Sequence, residues 1–214
     1  MKNFSRDHVT LAAMLAAVAG YVDAVGFIEL NGLFVSFMSG NSTRLSTNIA
    51  LGHWYIASRV GTLILLFIIG SGFGALIAHF GGPTRQRRVL FVEAALLAVA
   101  AICHGSAFSF ISIPAMVLAM GVENAVFFKE GDTSVGLTYM TGAVVKVGQR
   151  LALALVGEAR WGWVSHLLLW LSLCAGAITG TLVYGWLGMN CLWLPGIAAF
   201  TLGCIIVRPR FQFA

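Results

Sequence analysis

The sequence predicts an all-α polytopic membrane protein: six transmembrane helices and two re-entrant half-helix segments, arranged as two inverted repeats. Three observations lead to this fold class. The 214 residues are 59% hydrophobic and only 10% charged, whereas a soluble domain has about 25% charged residues. Apolar runs of about 20 residues, the length that crosses a bilayer, recur along the chain. A polar segment that follows the first run is repeated about a hundred residues later.

The apolar runs are the predicted spans. The first run follows Lys2 and Arg6 as a signal peptide would, but it continues through Asp23, which predicts a helix of the mature protein. The four cysteines lie singly in apolar segments without ligand spacing, which predicts free, buried thiols and no metal. The predicted spans are Val9–Ile28, Val60–Phe80, Val89–Ala107, Phe108–Phe128, Val164–Trp186 and Leu192–Val207.

A duplication relates the two halves of the chain. In both halves, an acid, an aromatic residue, a Met-Ser/Thr-Gly element and a base follow one another in the same order. The first repeat is predicted over residues 1–112, with a re-entrant segment at 33–52, and the second over 113–214, with one at 133–157. Gly20, Ala24, Val25, Phe27 and Glu29 match Gly121, Ala125, Val126, Phe128 and Glu130; Met38, Gly40 and Arg44 match Met140, Gly142 and Lys146; Gly70 and Gly74 match Gly176 and Gly180.

The basic residues predict which way each half faces. Cytoplasmic loops of membrane proteins carry an excess of lysine and arginine. If the segment 33–52 returns to the side from which it came, nine of the 13 basic residues lie inside and only Arg59 lies outside. Each half then has three full spans, so the second repeat is inverted and both termini are cytoplasmic. The inside residues are Lys2, Arg6, Arg85, Arg87, Arg88, Lys129, Arg160, Arg208 and Arg210.

The segment "FMSGNSTRLSTN" is too polar for a lipid-facing helix. Arg44 alone costs about 2.5–3.5 kcal/mol at the centre of an inserted helix. Irregular backbone at membrane depth requires surrounding protein or a water-filled cavity. Gly40 permits a break, and Asn41 or Ser42 can cap a new helix. The segment is therefore predicted to descend to a tip near Gly40 and to return as a half-helix, as is "YMTGAVVKVGQR" in the second half.

The two half-helix tips form the predicted site. Each N-terminus offers unpaired N–H groups and partial positive charge, which suit an anion or an electron-rich polar solute. The candidate solute-binding residues are Ser39, Gly40, Asn41, Ser42 and Arg44 in the first half and Tyr139, Thr141, Gly142 and Lys146 in the second. The candidates for proton or ion coupling, or for ion pairing, are Asp23, Glu123 and Asn124.

Two intramembrane ion pairs, Asp23–Arg44 and Glu123–Lys146, are predicted because each acid lies in the same half of the bilayer as the base of its repeat. An ionisable group within the membrane favours a functional role. The alternative is that the pairs only fasten the re-entrant segments to their neighbours. Glu93, early in the third span, is expected to reach the inner surface or to pair with Arg87 or Arg88.

Enzymatic motifs are missing from the sequence, so no enzyme is predicted. Ser39-Gly40 lacks a GxSxG elbow and a histidine placed as base. The chain has no HExxH, Walker or dinucleotide-binding motif, and no cofactor is expected.

At "GYVDAVGF", "FVSFMSGNSTRL" and "GVENAV…LTYMTG" the sequence resembles the YoaK family of bacterial inner-membrane proteins, a domain of unknown function. The resemblance covers essentially the whole chain and implies an inner-membrane location but no particular substrate. One departure is Glu123, where the family more often has Gln, which weakens a general ion-pair role at this position. The matching residues are Gly20, Asp23, Ala24, Phe27, Ser39, Gly40, Asn41, Asn124, Ala125, Thr138, Tyr139, Thr141 and Gly142.

The leading functional hypothesis is a transporter or channel for a small polar solute, anionic solutes included, that binds where the half-helix tips meet near the bilayer midplane. The alternative is a non-transporting scaffold or assembly subunit whose intramembrane charges are structural ion pairs. The expected partners are the lipid bilayer and a small-molecule solute, with a homo-oligomer left open. Nucleic acid is not expected, because the basic residues lie at span ends and form no basic stripe.

Overall fold

The computed structural model describes residues 6–129, 132–133, 140–158 and 160–206. These residues are almost entirely helical, apart from loops and a two-residue antiparallel pairing of Phe128–Lys129 with Asp132–Thr133. The helices are α1 (Arg6–Glu29), α2 (Met38–Ala50), α3 (Trp54–Phe80), α4 (Arg85–His104), α5 (Ser112–Glu123), α6 (Met140–Leu155), α7 (Val164–Leu187) and α8 (Trp193–Ile205). Short 3-10 turns lie at Gly82–Thr84, Ser109–Ile111, Asn124–Phe127 and Gly188–Leu192.

Four stretches of the described chain are long and apolar enough to cross a membrane. They are His8–Glu29, Trp54–Phe80, Ser109–Phe127 and Val164–Ile205, the last of which contains both α7 and α8. The helix α4 has 20 residues, but it begins with three arginines in four positions and contains Glu93, so it is less apolar than these four. The chain is thus a multi-pass helical membrane protein, while the division into six spans goes beyond this finding.

The helices differ in how much of their surface they bury. Most of α1 and of the Ser109–Phe127 stretch is buried within the protein, whereas most of α3 and α7 is exposed. The exposed side chains of α3 and α7 include Leu65, Ile68, Phe73, Ile178 and Leu182. An outer surface of this kind is suited to lipid and not to water.

Close helix pairs cross between the two halves of the chain. The helix α1 packs most extensively against α7, α3 against α5, and α4 against both α5 and α8. Glycines permit these approaches: a Cβ added at Gly70 would lie 2.5 Å from the carbonyl oxygen of Leu118, and one at Gly121 would lie 2.5 Å from that of Phe67. Gly70 and Gly121 are therefore points of close backbone contact between α3 and α5.

The short helix α2 is placed by the turns at its two ends. At the end of α1, Asn31 and Gly32 adopt positive φ angles of 52° and 94°, and the Gly32 N–H donates to the carbonyl of Phe27 at 2.7 Å. At the end of α2, Gly52 has a φ of 73° and the His53 N–H donates to the carbonyl of Asn48 at 2.8 Å. Left-handed residues of this kind end helices by satisfying their last carbonyl groups.

Candidate functional site

Asp23 fixes the irregular segment that precedes α2. Its Oδ1 atom accepts the backbone N–H of Val35 at 2.9 Å and that of Ser36 at 2.7 Å. Hydrogen bonds of this kind are charge-assisted, and the carboxylate lies just before the positive N-terminal end of α2. The chain therefore returns from the end of α1 to the level of Asp23 before α2 starts.

Asn41 holds the same segment from the other side. Its side chain is fully buried; Oδ1 accepts the Phe34 N–H at 3.0 Å, and Nδ2 donates to the Phe34 carbonyl at 2.6 Å. Both functional groups of the amide are thus occupied by the backbone of one residue. The structure corrects the expected half-helix start: α2 begins at Met38, so Gly40 and Asn41 lie within its first turn, not at a break before it.

The remaining polar side chains of α2 bond to their own helix. Ser42, Thr43, Ser46, Thr47 and Asn48 each donate to the carbonyl four residues earlier, at 2.8–3.2 Å. Such bonds satisfy a hydroxyl or amide group without a partner from another helix. A polar α2 therefore costs less free energy than the number of its polar residues suggests.

Arg44 is exposed and lies beside the C-terminal end of α1. A Cβ added at Gly32 would lie 3.2 Å from Nη2 of Arg44. A cation at this position is favoured by the partial negative charge of the last carbonyl groups of a helix. Because Asp23 contacts the start of α2 while Arg44 contacts Gly32, α2 runs back alongside the last turns of α1.

The two predicted ion pairs are not formed among the described residues. Asp23 bonds to the backbone of Val35 and Ser36, and Arg44 lies at the end of α1. Glu123 is fully buried and neither of its carboxyl oxygens has a hydrogen-bond partner, whereas Lys146 is exposed on α6. The pairing failed as a prediction because helix level alone does not fix the direction in which a side chain points.

A cavity of about 360 Å³ lies where α2 and α6 begin. From the first half it is lined by the start of α2 and the residues before it, from the second half by the start of α6, and from α3 by one aromatic side chain. The predicted site residues Ser39, Thr141 and Gly142 are thus brought together. The lining residues are Ser36, Phe37, Met38, Ser39, Phe67, Thr141 and Gly142.

The other predicted site residues lie apart from this cavity lining. Gly40 packs under aromatic rings, because a Cβ there would lie 2.6 Å from Phe37 and 3.1 Å from Phe34. Ser42, Arg44 and Lys146 lie further along their helices and are exposed. Tyr139 lies outside the described residues. Asn124 is buried, and its Nδ2 donates to the Met120 carbonyl at 2.9 Å.

Sequence reasoning missed two residues of this region and misplaced Glu93, which lies elsewhere, on α4. Phe67 lines the cavity, but an aromatic residue in an apolar span carries no signal of such a position. Ser36 lines the cavity and donates its N–H to Asp23, but it precedes the polar segment that begins at Phe37. Glu93 was expected at the inner surface or in an ion pair; instead it is fully buried and both of its carboxyl oxygens lack a partner.

The fold and this site define a multi-pass helical membrane protein with a cavity of polar and apolar lining where two short helices begin. A family model described as "Protein of unknown function (DUF1275)" matches residues 11–205, so the chain belongs to this family. The predicted relationship to YoaK is confirmed.

Two named relatives are transmembrane proteins. UPF0700 transmembrane protein RA0705 of Rhizobium meliloti (strain 1021) is 35% identical over 195 residues, which cover 91% of this chain and 84% of that protein. UPF0700 transmembrane protein YoaK of Bacillus subtilis (strain 168) is 25% identical over 146 residues, 64% of each chain. No solved structure matches the chain.

Proposed function

We propose that the protein is a transporter or channel for a small polar solute, which binds in the cavity between the first turns of α2 and α6. The observation that carries the proposal is the cavity itself, lined by Ser39 of one half and by Thr141 and Gly142 of the other. Its volume of about 360 Å³ falls in the range of about 300–1,000 Å³ of small-molecule pockets. A purely structural junction of two helices has no need for such a space.

The lining suits a solute with both polar and apolar parts. The hydroxyl groups of Ser39 and Thr141 are exposed, while Phe37, Met38 and Phe67 form apolar walls. The start of α2 adds unpaired N–H groups and partial positive charge, which favour an anion or a polar oxygen. The nearby Asp23 carboxylate offsets part of that charge, so a neutral polar solute or a monoanion fits better than a multiply charged anion.

The exchange of helix partners supports two inverted repeats with six spans. Gly70 of α3 packs on Leu118 of α5, and the matching Gly176 of α7 packs on Ala17 of α1. Gly70 and Gly176 are 106 positions apart in the sequence, and Ala17 and Leu118 are 101 positions apart. The same two offsets relate two further pairs of contacts. Equivalent contacts on exchanged helices are expected of halves related by a pseudo-two-fold axis. The further pairs are Gly74–Val122 with Gly180–Tyr21, and Gly20–Leu173 with Gly121–Phe67.

The same arrangement favours re-entrant α2 and α6. With 13 and 16 residues, both are shorter than the about 20 residues that cross a bilayer. The return of the chain to the level of Asp23 before α2 starts supports a descending arm followed by a half-helix. With three full spans in each half, the distribution of basic residues favours a bacterial inner-membrane protein with both termini in the cytoplasm.

Gly142→Leu tests the cavity, and Gly148→Leu is its matched control. Both glycines lie on α6 with no atom within 4 Å of an added Cβ, so both substitutions fit, but only Gly142 lines the cavity. In detergent, with a panel of neutral and monoanionic polar solutes, we expect at least one solute to raise the melting temperature of the parent. The same solute should stabilise Gly148→Leu equally and Gly142→Leu much less, since stabilisation scales with occupancy.

The scaffold alternative is favoured by the way Asp23 and Asn41 direct their polar atoms mainly to backbone groups of the segment before α2. A scaffold requires no solute, so a panel that stabilises neither the parent nor Gly148→Leu would support it against transport. Equal solute responses in Gly142→Leu and Gly148→Leu would instead place the solute outside this cavity and contradict the proposed site.

A further inference from the structure

Two buried carboxyl groups lie between α4 and α5, apart from the cavity. Glu93 of α4 and Glu123 of α5 are both 0% exposed. All four of their carboxyl oxygens lack a hydrogen-bond partner among the described residues. Buried polar groups in native proteins are nearly always hydrogen-bonded, so four unsatisfied oxygens in one place need an explanation.

Two hydrogen bonds fix the register of the helices that carry the pair. Nε2 of Gln86 donates to the Val126 carbonyl at 3.2 Å, and Oγ of Ser112 donates to the Ala100 carbonyl at 2.8 Å. In this antiparallel register, the α4 position level with Glu123 is about four residues from Glu93, or about 6 Å along the axis. The two carboxyl groups are also close enough for their charges to interact.

Among the described side chains, the surroundings of the pair offer no compensating cation. The faces that α1, α3 and α8 turn towards this region are built of leucine, alanine and glycine, including Leu15, Gly74 and Ala199. No described group donates a hydrogen bond to either carboxyl. The titratable or charged groups with described side chains on the packed elements are His8, Tyr21, Asp23 and Glu29 of α1, Tyr55, Arg59 and His79 of α3, Arg85, Arg87, Arg88, Cys103 and His104 of α4, Cys191 before α8, and Cys204 of α8.

Most of these groups are engaged or lie at helix ends. Tyr21 donates to the Cys191 carbonyl, and Asp23 accepts two backbone N–H groups. Arg87 is exposed and lies over the ring of Phe91, 5.1 Å from its centroid. Two neighbouring carboxylates without a cation are very costly in such a medium, because burial of one unpaired charge already costs several kcal/mol.

We propose that Glu93 and Glu123 form a proton-binding site, which holds at least one proton while α4 and α5 are packed together. A proton is the smallest ligand that removes the repulsion between the two groups, and it fits between α4 and α5 without additional space. The proton is released to water as H⁺ only when α4 and α5 separate and water reaches a carboxylate. The pair is therefore a place where proton occupancy and helix packing are linked.

This site becomes the coupling site of the proposed transporter, an extension that rests on the proposed function. The helix α5 joins the two regions: Gly121 packs on the backbone of Phe67, which lines the cavity, and Glu123 follows two residues later. A shift of α5 that separates it from α4 would therefore also disturb its backbone contact with Phe67, whose residue lines the cavity. Proton release and solute access can be linked through this one helix.

Infrared spectroscopy of the full chain in lipid vesicles tests proton binding without any solute. At neutral pH the parent should show a carboxylic-acid C=O band; Glu93→Gln and Glu123→Gln should each shift or reduce it, and the double variant Glu93→Gln/Glu123→Gln should lose it. Glu29→Gln is the control: the Glu29 carboxyl lies outside the pair and accepts a hydrogen bond from Tyr184 Oη at 2.5 Å, and its replacement should leave the band in place. A parent without the band, or a band that survives unchanged in the double variant, would overturn the proton site.

Melting temperature against pH gives a second readout that does not depend on those variants folding well. The folded parent holds a proton that the unfolded chain has released above about pH 4.3, the ordinary titration point of Glu. Stability must then fall as pH rises, by up to tenfold in the folding equilibrium constant per pH unit for each retained proton. A parent whose melting temperature is constant from about pH 5 to 8 would contradict the proposal.

Measurements of solute flux distinguish proton–solute coupling from proton binding at the Glu93–Glu123 pair. We expect flux in the parent to respond to a pH gradient, and flux in Glu123→Gln to be independent of it. If the infrared band and its loss are observed but no solute moves, the proposed function fails and the proton site stands. If solute moves independently of the gradient in the parent, the coupling is refuted while the transporter remains.

Discussion

At the scale of single residues, Asn41 and Asp23 determine how the chain enters α2. Each binds backbone groups of the segment between α1 and α2, Asn41 at Phe34 and Asp23 at Val35 and Ser36. These bonds satisfy peptide groups that would otherwise be unpaired within the protein, where an unpaired group costs several kcal/mol. The polar residues that looked like solute ligands in the sequence therefore include some that build the site and do not line it.

Asn41→Ala should destabilise the protein, and Asn48→Ala should not. The first change leaves the N–H and carbonyl of Phe34 without partners in a buried place, at about 1–3 kcal/mol for each group. The second removes an exposed bond from Asn48 to the Arg44 carbonyl within the same helix. Melting temperatures in detergent measure the difference. Equal melting temperatures for the two variants would mean that Asn41 does not hold the segment.

At the scale of helices, glycine contacts determine which elements pair. The helices α3 and α7 expose most of their apolar surface and touch the interior along lines of small residues. Such lines allow backbones to approach closely, which provides much of the attraction between helices in lipid. The helices α2 and α6 instead pack beside α3 and α7, and only their first turns meet at the cavity.

Gly70→Ala and Gly176→Ala should both destabilise the protein, because each Cβ would collide with the backbone of the facing helix. Forced overpacking of this kind costs about 1–3 kcal/mol. Gly72→Ala and Gly185→Ala are the controls on the same two helices, since no atom lies within 4 Å of the added Cβ. These should be neutral or gain up to about 1 kcal/mol of helix propensity. Thermal unfolding in detergent decides, and a tolerated Gly176→Ala would contradict equivalent contacts in the two halves.

At the scale of the whole molecule, the two halves enclose a buried interior and present an apolar exterior. The helix α1 and the Ser109–Phe127 stretch form most of the interior, and α3 and α7 form most of the exterior. The cavity is lined by Phe67 of α3, the Glu93–Glu123 pair lies between α4 and α5, and α5 contacts both α3 and α4. This placement allows one moving helix to affect two sites.

Cysteine labelling tests the proposed topology. In a background without the four native cysteines, Asn31→Cys and Leu51→Cys should both react with an impermeant thiol reagent added outside the cell. Both positions are exposed and lie at the two ends of the segment that contains α2. Thr84→Cys, exposed between α3 and α4, should react only after permeabilisation. Labelling of Asn31→Cys without Leu51→Cys would show that α2 crosses the membrane.

The sequence by itself determined the class of protein. The low fraction of charged residues and the long apolar runs already exclude a surface that faces only water. They also predict helices exposed to lipid, because such exposure requires only sustained hydrophobicity. It also indicated the first turns of α2 and α6, since Ser39, Thr141 and Gly142 stand out in an apolar chain and the structure brings them to one cavity. Membership of the family followed from the same polar motifs.

Only the tertiary structure decided which groups contact one another. Asp23 binds backbone N–H groups and not Arg44, and Glu123 lies near Glu93 and not beside Lys146. In the sequence, Glu93 and Glu123 are 30 residues apart on different helices. Hydrophobicity and repeat spacing fix how deep a residue lies, but the rotation of each helix about its axis fixes its partners. That rotation depends on close contacts such as those of Gly70 and Gly176, which arise only when the helices are packed together.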